Sequence, residues 1–399
     1  MTLSAADRLR AKIAPQAGTG ATASIIQHPA TVETPSGGGK IDIPDDLRGE
    51  VEGEAKQGSQ QDDANKLSRA MDVLKAGAFE DQFGEFNISV VIGKRREAVN
   101  IESGAGKDAI RQVVQAETGK LPPKAHIENI QALVRMAARN GGKRGTIFQR
   151  IARANGSRLI DLGNLEGHSV SITPGQWELT QDASVAFLRG RGYGELPVPV
   201  RSRSPKHAFQ IVYEWLIALG VRESKAALVV IALVAWLRTG NTYPILLLYG
   251  PPGSGKTVAA KLILLLIDPT ESRALPNVGM ETEHIAAAAQ HRHVLSFDNL
   301  SKLSAANQDT LCTCSTGGEI VGRRLYSDGD VAVLPIHRPV LMTAVQPVIT
   351  RPDLLSRALP IEFGQRETRK GEDEIMAEFM ELRPVLFGAL CDLLAAAEI

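Results

Sequence analysis

The sequence predicts an α/β protein whose C-terminal half is built on a parallel sheet covered on both faces. One observation is a set of apolar runs without alternation: "PILLLYG" (244–250), "HVLSF" (293–297) and "PVLMTA" (339–344). Such runs suit strands buried on both sides. A second is that helical segments separate these runs, as the crossovers of a parallel sheet require. A third is a glycine-rich loop set between the first of these strands and a helix, the place where strand–helix crossovers put ligand-binding turns.

From the N-terminus, residues 14–66 are rich in Gly, Ala, Thr, Pro, Ser and Gln, with an acidic patch in "IDIPDDLRGEVEGE". No apolar period survives there, so 1–66 reads as a disordered tail or linker, with a short helix over 4–13. Residues 67–200 read as a small accessory domain, β-rich or α+β. "FNISVVIG" (86–93) and "EAVNIES" (97–103) form a strand pair with Lys94, Arg95 and Arg96 near its turn. "KDAIRQVVQAE" and "HIENIQALVRMAAR" are helical by spacing. "GTIFQRIARANG", "SRLIDLG", "SVSITPGQWELT" and "VAFLRG" give short strands broken by Gly, Asn and Pro. The basic, Pro-rich "LPVPVRSRSPK" (196–206) marks the domain boundary.

Over 207–399 the pattern is helices at 207–219 and 223–238, a strand, the glycine loop and the helix "KTVAAKLILLLI". A helix at 280–290, a strand ending at Asp298, a helix at 301–313 and a hairpin (319–326 with 331–336) come next. The strand "PVLMTA" and helices at 352–358 and 372–397 close the chain.

Bulk composition narrows the function classes. The formal net charge is zero, so any basic surface for nucleic acid must be local. Cys312, Cys314 and Cys391 make neither a disulfide framework nor a zinc site. The eight His residues have no metal spacing, and His291 and His293 read as surface. The longest apolar run, 226–237, has 12 residues, against about 20 needed to span a bilayer. The opening "MTLSAADRLRAKIAPQ" lacks a signal-peptide core. A cytoplasmic protein without membrane partners is expected.

Chemistry concentrates in "GPPGSGKT": Gly250, Pro251, Pro252, Gly253, Ser254, Gly255, Lys256 and Thr257. The spacing G-x-x-x-x-G-K-[ST] after a strand is that of a phosphate-binding loop. Glycines let backbone N–H groups turn toward a phosphate, and the following helix start favours negative charge. In that role Lys256 reaches the β- and γ-phosphates of ATP and Thr257 ligates Mg2+. Asp298 lies 42 residues after Lys256 at the end of the next apolar strand. It is expected to help hold the magnesium, or else to cap the following helix. The next residue is Asn299, where a water-activating carboxylate is usual. An amide orients a water but cannot take its proton.

Thr343 on "RPVLMTA" is placed to touch a γ-phosphate or the attacking water, or is a strand Thr chosen for its β-branch. Arg357 in "LLSRALPIEF" suits an arginine finger reaching a neighbouring subunit, or a solvated helix-end arginine. Arg351 is a second finger candidate and Arg383 a candidate lid arginine. In "GRRLYSDGD", Asp-Gly signals a hairpin turn. Arg323, Arg324 and Tyr326 on it suit a DNA single strand, or a solvated hairpin arm, and Arg324 equally suits a phosphate in the ATP site.

The ordered set "GPPGSGKT", "FDNLSKL", "STGGEIVGRRLY", "HRPVLMTA" and "LLSRALPIEF" resembles P-loop ATPases of phages and integrated elements. That group is similar to superfamily 3 helicases and to poxvirus-type and virulence-associated-E primase-helicases. The resemblance covers about residues 145 to 397, including "IDLGNLEGHSVSITPGQWELT". It implies an AAA-like P-loop NTPase core, Mg2+ and ATP, a hexamer-like homo-oligomeric ring, and DNA unwinding or translocation in mobile-element replication. The group itself tends to carry Asp-Asn after the strand. Thr343 departs from the Asn of many relatives, and no primase motif is visible. Two other classes stay open: an ATP-gated assembly or DNA-loading factor with little hydrolysis, and a small-molecule P-loop kinase.

Overall fold

The computed structural model describes residues 48–399, except 93, 182–184, 191, 273, 324–330 and 365–370. They fall into two compact units, one of residues 48–92 with Arg96–Thr146, the other of Lys94 and Arg95 with Ile147–Ile399.

The N-terminal unit opens with helix α1 (Arg48–Gly77). The linker expected through 66 is therefore helical from Arg48 onward. Its polar stretch is rich in Glu, Lys, Gln and Ala, good helix formers that leave no apolar stripe to read. Near its end Ala70 and Leu74 turn inward. Strands β1 (Ala78–Glu80), β2 (Phe86–Ile92) and β3 (Arg95–Asn100) form a sheet in that order. Helix α2 (Gly104–Thr118) is capped by the Ser103 hydroxyl, which accepts from Gly106 N at 2.9 Å. Helix α3 (Lys124–Gly141) follows. Leu74, Ile88, Ile101, Ile110, Ile127 and Val134 make this unit's core.

The C-terminal unit begins with an antiparallel meander, β4 (Ile151–Ala154), β5 (Ser157–Asp161), β6 (Ser169–Thr173) and β7 (Gln176–Thr180). "VAFLRG" contributes only an isolated bridge, Phe148 to Phe187. The boundary expected at 196–206 lies instead at 146/147. Ile151, Ile160, Val170, Ile172 and Trp177 share one core with Trp215, Leu390 and Leu394. The Pro-rich segment is a strap rather than a hinge. Val200 N donates to Pro384 O at 3.0 Å, Ser202 N donates to Asp392 at 2.6 Å, and the Arg201 guanidinium stacks 3.9 Å from the Trp177 ring centre. Proline fixes an extended backbone, which here lies against a helix.

Next come α4 (Pro205–Ala218), α5 (Glu223–Trp236), β8 (Ile245–Tyr249), α6 (Lys256–Ile267), α7 (Thr282–His291), β9 (Leu295–Leu300) and α8 (Ala305–Thr316). They are followed by β10 (Gly318–Arg323), β11 (Val331–Ile336), β12 (Val340–Ala344), α9 (Pro352–Leu355), β13 (Ala358–Glu362) and α10 (Glu372–Ala397). Strands β13-β8-β12-β9 make a four-stranded, all-parallel sheet. Along β8, Ile245 and Leu247 enter one core with α7 and α8, while Leu246 and Leu248 enter the other with α6 and α10. That two-sided burial explains why the strand reads as an unbroken apolar run.

The helix expected over 352–358 stops at Leu355, and "ALPIE" becomes strand β13. Pro360 hid it, because proline cannot donate to a ladder; at the sheet edge that loss is tolerated. The hairpin forms as expected, from Gly318↔Ile336 to Arg323↔Val331, though its turn lies outside the described residues.

Two polar expectations are corrected. Arg383 is buried, its Nε donating to Leu265 O at 3.0 Å and Nη2 to Glu195 O at 2.7 Å. It caps the Leu265 carbonyl in the last turn of α6 and ties it to Glu195. His293 is 5% exposed, its Nε2 donating to Trp236 O at 2.7 Å; the adjacent Arg292 and His291 made it look like surface.

Burial pushes the His293 imidazole down from 6.5 to about 4. The unfolded chain takes up a proton below pH 6.5 and the folded chain does not. Stability should therefore fall between pH 6.5 and about 4, by at most about 1.4 kcal/mol per pH unit. Urea midpoints across this window should show the loss, and His293→Gln should flatten it.

Candidate nucleotide site

The loop leaves β8 at Gly250, whose φ is 155°. A Cβ there would lie 2.3 Å from Phe363 O on the neighbouring chain segment, so only glycine fits. Gly253 (φ 76°) and Gly255 (φ 89°) adopt the left-handed region that lets successive N–H groups converge. Gly255 is also the residue from which α6 starts.

Two side chains in the loop carry unspent polarity. Ser254 is fully buried, and among the described residues its Oγ has no hydrogen-bond partner. Lys256 is 7% exposed, and among the described residues its ammonium meets one acceptor, Pro251 O, at 3.3 Å. A buried cation with two donors to spare, beside an orphaned hydroxyl, is costly unless an anion completes it. These features fit the phosphates of a nucleotide.

The carboxylate side of the site is a β-bulge. Strands β9 and β12 pair Met342↔Phe297 and then Ala344↔Leu300, so Asp298 and Asn299 together oppose Thr343. Asn299 has φ 56°, one of two described non-glycine residues with positive φ. Asn tolerates this conformation far better than Glu does. The Asp298–Asn299 pair thus has a backbone reason: the second residue bends the strand and aims the first. Asp298 N donates to Asn277 Oδ1 at 3.0 Å. Its Oδ1 accepts from Thr257 Oγ1 at 3.3 Å and from Thr343 Oγ1 at 2.5 Å. Thr343 Oγ1 also accepts from Asn299 N at 2.8 Å. The Thr343 hydroxyl proton is engaged by Asp298, which places this residue as a brace on the bulge.

Asn299→Gly should leave stability nearly unchanged, whereas Asn299→Val should cost about 1–2 kcal/mol from the left-handed backbone alone. Thr343→Val should cost about 1–3 kcal/mol, because the Asn299 N–H loses its acceptor and Asp298 loses a donor. Thermal or urea unfolding of the three variants checks the ranking.

The structure brings residues 250–257, Asp298, Asn299 and Thr343 together, and leaves the arginines apart. The Arg357 carbonyl accepts from Ile245 N at 2.9 Å, at the start of β8. The loop leaves the other end of that strand, roughly 16 Å away at 3.3 Å per residue. The Arg357 side chain donates to Asp353 O at 2.6 Å, and Arg351 pairs with Asp309 at 3.0 Å. Arg323 ends β10, and the readings of Arg324 and Tyr326 fall outside the described residues. Sequence reasoning missed Asn277 and the bulge. Asn277 carries no periodic signal, and the bulge shows only in strand pairing.

The parallel sheet with its strand–loop–helix turn defines the fold class of AAA-like P-loop NTPases. Residues 216–398 match the family described as the actinomycete integrative conjugative element replication protein. That match lies within the group of mobile-element replication proteins that the sequence resembles. Among solved structures, the A form of the apo NrS-1 C-terminal region is 12% identical with a TM-score of 0.41, covering 79% of this chain and 66% of that one. An apo structure of the NrS-1 C-terminal region (305–718) is 14% identical with a TM-score of 0.40, covering 79% and 67%. JCV helicase is 17% identical with a TM-score of 0.25, covering 47% and 60%. The chain spans about two thirds of the length of the NrS-1 structures. No curated protein matches the sequence.

Proposed function

We propose that this chain is an ATP-hydrolysing DNA motor, a helicase or translocase of mobile-element replication that works as a hexamer-like ring. The observation that carries the reading is the half-finished anion site at Ser254 and Lys256, set beside the braced carboxylate Asp298. Backbone N–H groups of Gly253, Gly255, Lys256 and Thr257, together with the Lys256 ammonium, hold the phosphates of ATP. Thr257 and Asp298 are the residues that would hold Mg2+, a cation that takes one or two protein oxygens and keeps several waters. When bound, the metal neutralises charge on the transferring phosphoryl group. Asn299 and Thr343 keep Asp298 in place, and Asn299 is suited to orienting water. Among the described residues no helix is long and apolar enough to cross a membrane.

Arg357 lies at the far end of the sheet from its own loop, which leaves reach into a neighbour's site as its catalytic use. The hairpin bearing Arg323, Arg324 and Tyr326 is the proposed contact to a single DNA strand. Size-exclusion chromatography with a slowly hydrolysed ATP analogue and single-stranded DNA tests the assembly. A nucleotide-dependent ring that persists in Arg357→Ala while turnover is lost supports the reading. A monomer under all conditions with full turnover contradicts it.

Asn299 favours a second reading, an ATP-gated assembly or DNA-loading factor, because an amide supplies no general base. It would form the same ring with negligible phosphate release.

A further inference from the structure

Helix α3 of the N-terminal unit buries Ile127, Ile130, Gln131, Val134 and Ala138 along one face. Its opposite face is exposed for the length of the helix, about 27 Å at 1.5 Å per residue. The last acidic residue of the helix is Glu128; from Asn129 to Thr146 the only charged residues are Arg135, Arg139, Lys143 and Arg144. Between and beside these cations stand Leu133, 48% exposed, and Met136, 58% exposed.

Local partners leave most of this charge unspent. Arg135 faces Glu102 at 3.5 Å and lies 5.7 Å from the Phe86 ring centre. Arg144 is 3.9 Å from Glu80, with its side chain 86% exposed. Lys143 Nζ donates to Ala76 O at 2.7 Å, using one of three donors. A row of cations with two apolar side chains, on a helix face free of acid over its second half, complements a polyanion that also offers apolar edges. The phosphate rails and thymine methyls of a duplex groove provide that combination, and a major groove admits one α-helix.

We propose that the exposed face of α3 and the turn after it form a second nucleic-acid site, which docks on the backbone of double-stranded DNA. This rests on the reading that the protein works on DNA, but uses a surface separate from the nucleotide site and the hairpin. Arg135, Arg139, Lys143 and Arg144 contact phosphates, while Leu133 and Met136 press on sugar or base edges. A replication protein so equipped holds the duplex while its motor engages a single strand.

The test is fluorescence anisotropy of a short labelled duplex with the full chain, without nucleotide, over salt from about 50 to 200 mM. The triple variant Arg139→Gln, Lys143→Gln, Arg144→Gln keeps a donor toward Ala76 O and alters only exposed side chains. It should weaken duplex binding about tenfold or more at low salt, and flatten the salt slope by about one for each phosphate no longer held. Leu133→Ser with Met136→Ser should weaken binding while leaving that slope unchanged. Lys256→Ala should bind the duplex as the parent does, so failure of the motor reading and failure of this site stay distinguishable. Unchanged duplex affinity and slope in the triple variant would overturn the proposal. So would competition by poly-glutamate as effective, charge for charge, as unlabelled duplex, which points to an acidic protein partner.

Discussion

Lys256→Ala should abolish nucleotide turnover, lowering kcat/KM by at least about 10²–10³-fold, the loss typical when one positioned charge on a transferring group is removed. The ammonium sits at the first position of α6, 7% exposed. Its single acceptor among the described residues, at 3.3 Å, leaves it ready for an anion. The same substitution should leave unfolding nearly unchanged or slightly improved, since it removes a buried charge whose pairing is incomplete. Loss of turnover with intact stability separates a phosphate-binding lysine from a structural one. Lys256→Arg should not rescue, because a planar guanidinium does not fit the space of a compact ammonium.

Arg150→Ala should destabilise the C-terminal unit by about 3–5 kcal/mol, the cost of leaving a buried partner charge alone. The Arg150 side chain is fully buried and its Nε lies 3.2 Å from Asp268 Oδ1. Its Nη2 donates to Gly194 O at 3.0 Å, and the guanidinium lies 3.6 Å from the Tyr193 ring centre. Asp268 in turn accepts from His293 N at 2.9 Å and Val294 N at 3.1 Å, at the entry to β9. Burial by itself would raise the Asp268 carboxyl; Arg150, His293 and the Val294 amide more than offset it and hold the group below 3.8. A depressed carboxyl contributes stability above its unfolded pKa and loses it as pH falls through the folded one. In Arg150→Ala only burial and the lesser partners remain, so acid unfolding should begin at higher pH. The double variant Arg150→Met, Asp268→Asn should recover much of the loss, because no unpaired charge is left. Urea denaturation at several pH values measures both effects.

The parallel core was legible because β8, β9 and β12 are buried on both faces and their sequences have no polar face to confuse the pattern. The glycine loop was legible because its spacing is set by backbone geometry. Strand β13 was not, since its one proline outweighed the apolar residues around it until edge position excused it. The start of α1 was hidden because propensity without periodicity leaves little to read. The domain boundary was misplaced because proline reads as linker, while at 196–206 it straps the meander to α10. At the site, Asp298 was found from its strand. Asn299 looked like a lost base, and only the bulge shows that the backbone there calls for an Asn. Thr343 was expected to face a phosphate or water, and the register turns its hydroxyl to Asp298. His293 was misread for the opposite reason: a buried imidazole next to an arginine looks like surface until its partner, 57 residues away, is known.

Steady-state phosphate release by the purified chain, with and without single-stranded DNA and across a range of protein concentration, tests the central claim most directly. A site shared between subunits should give turnover per subunit that rises with concentration, rises further with DNA, and vanishes in Lys256→Ala. Turnover that is independent of both concentration and DNA, or that survives in Lys256→Ala, would contradict it.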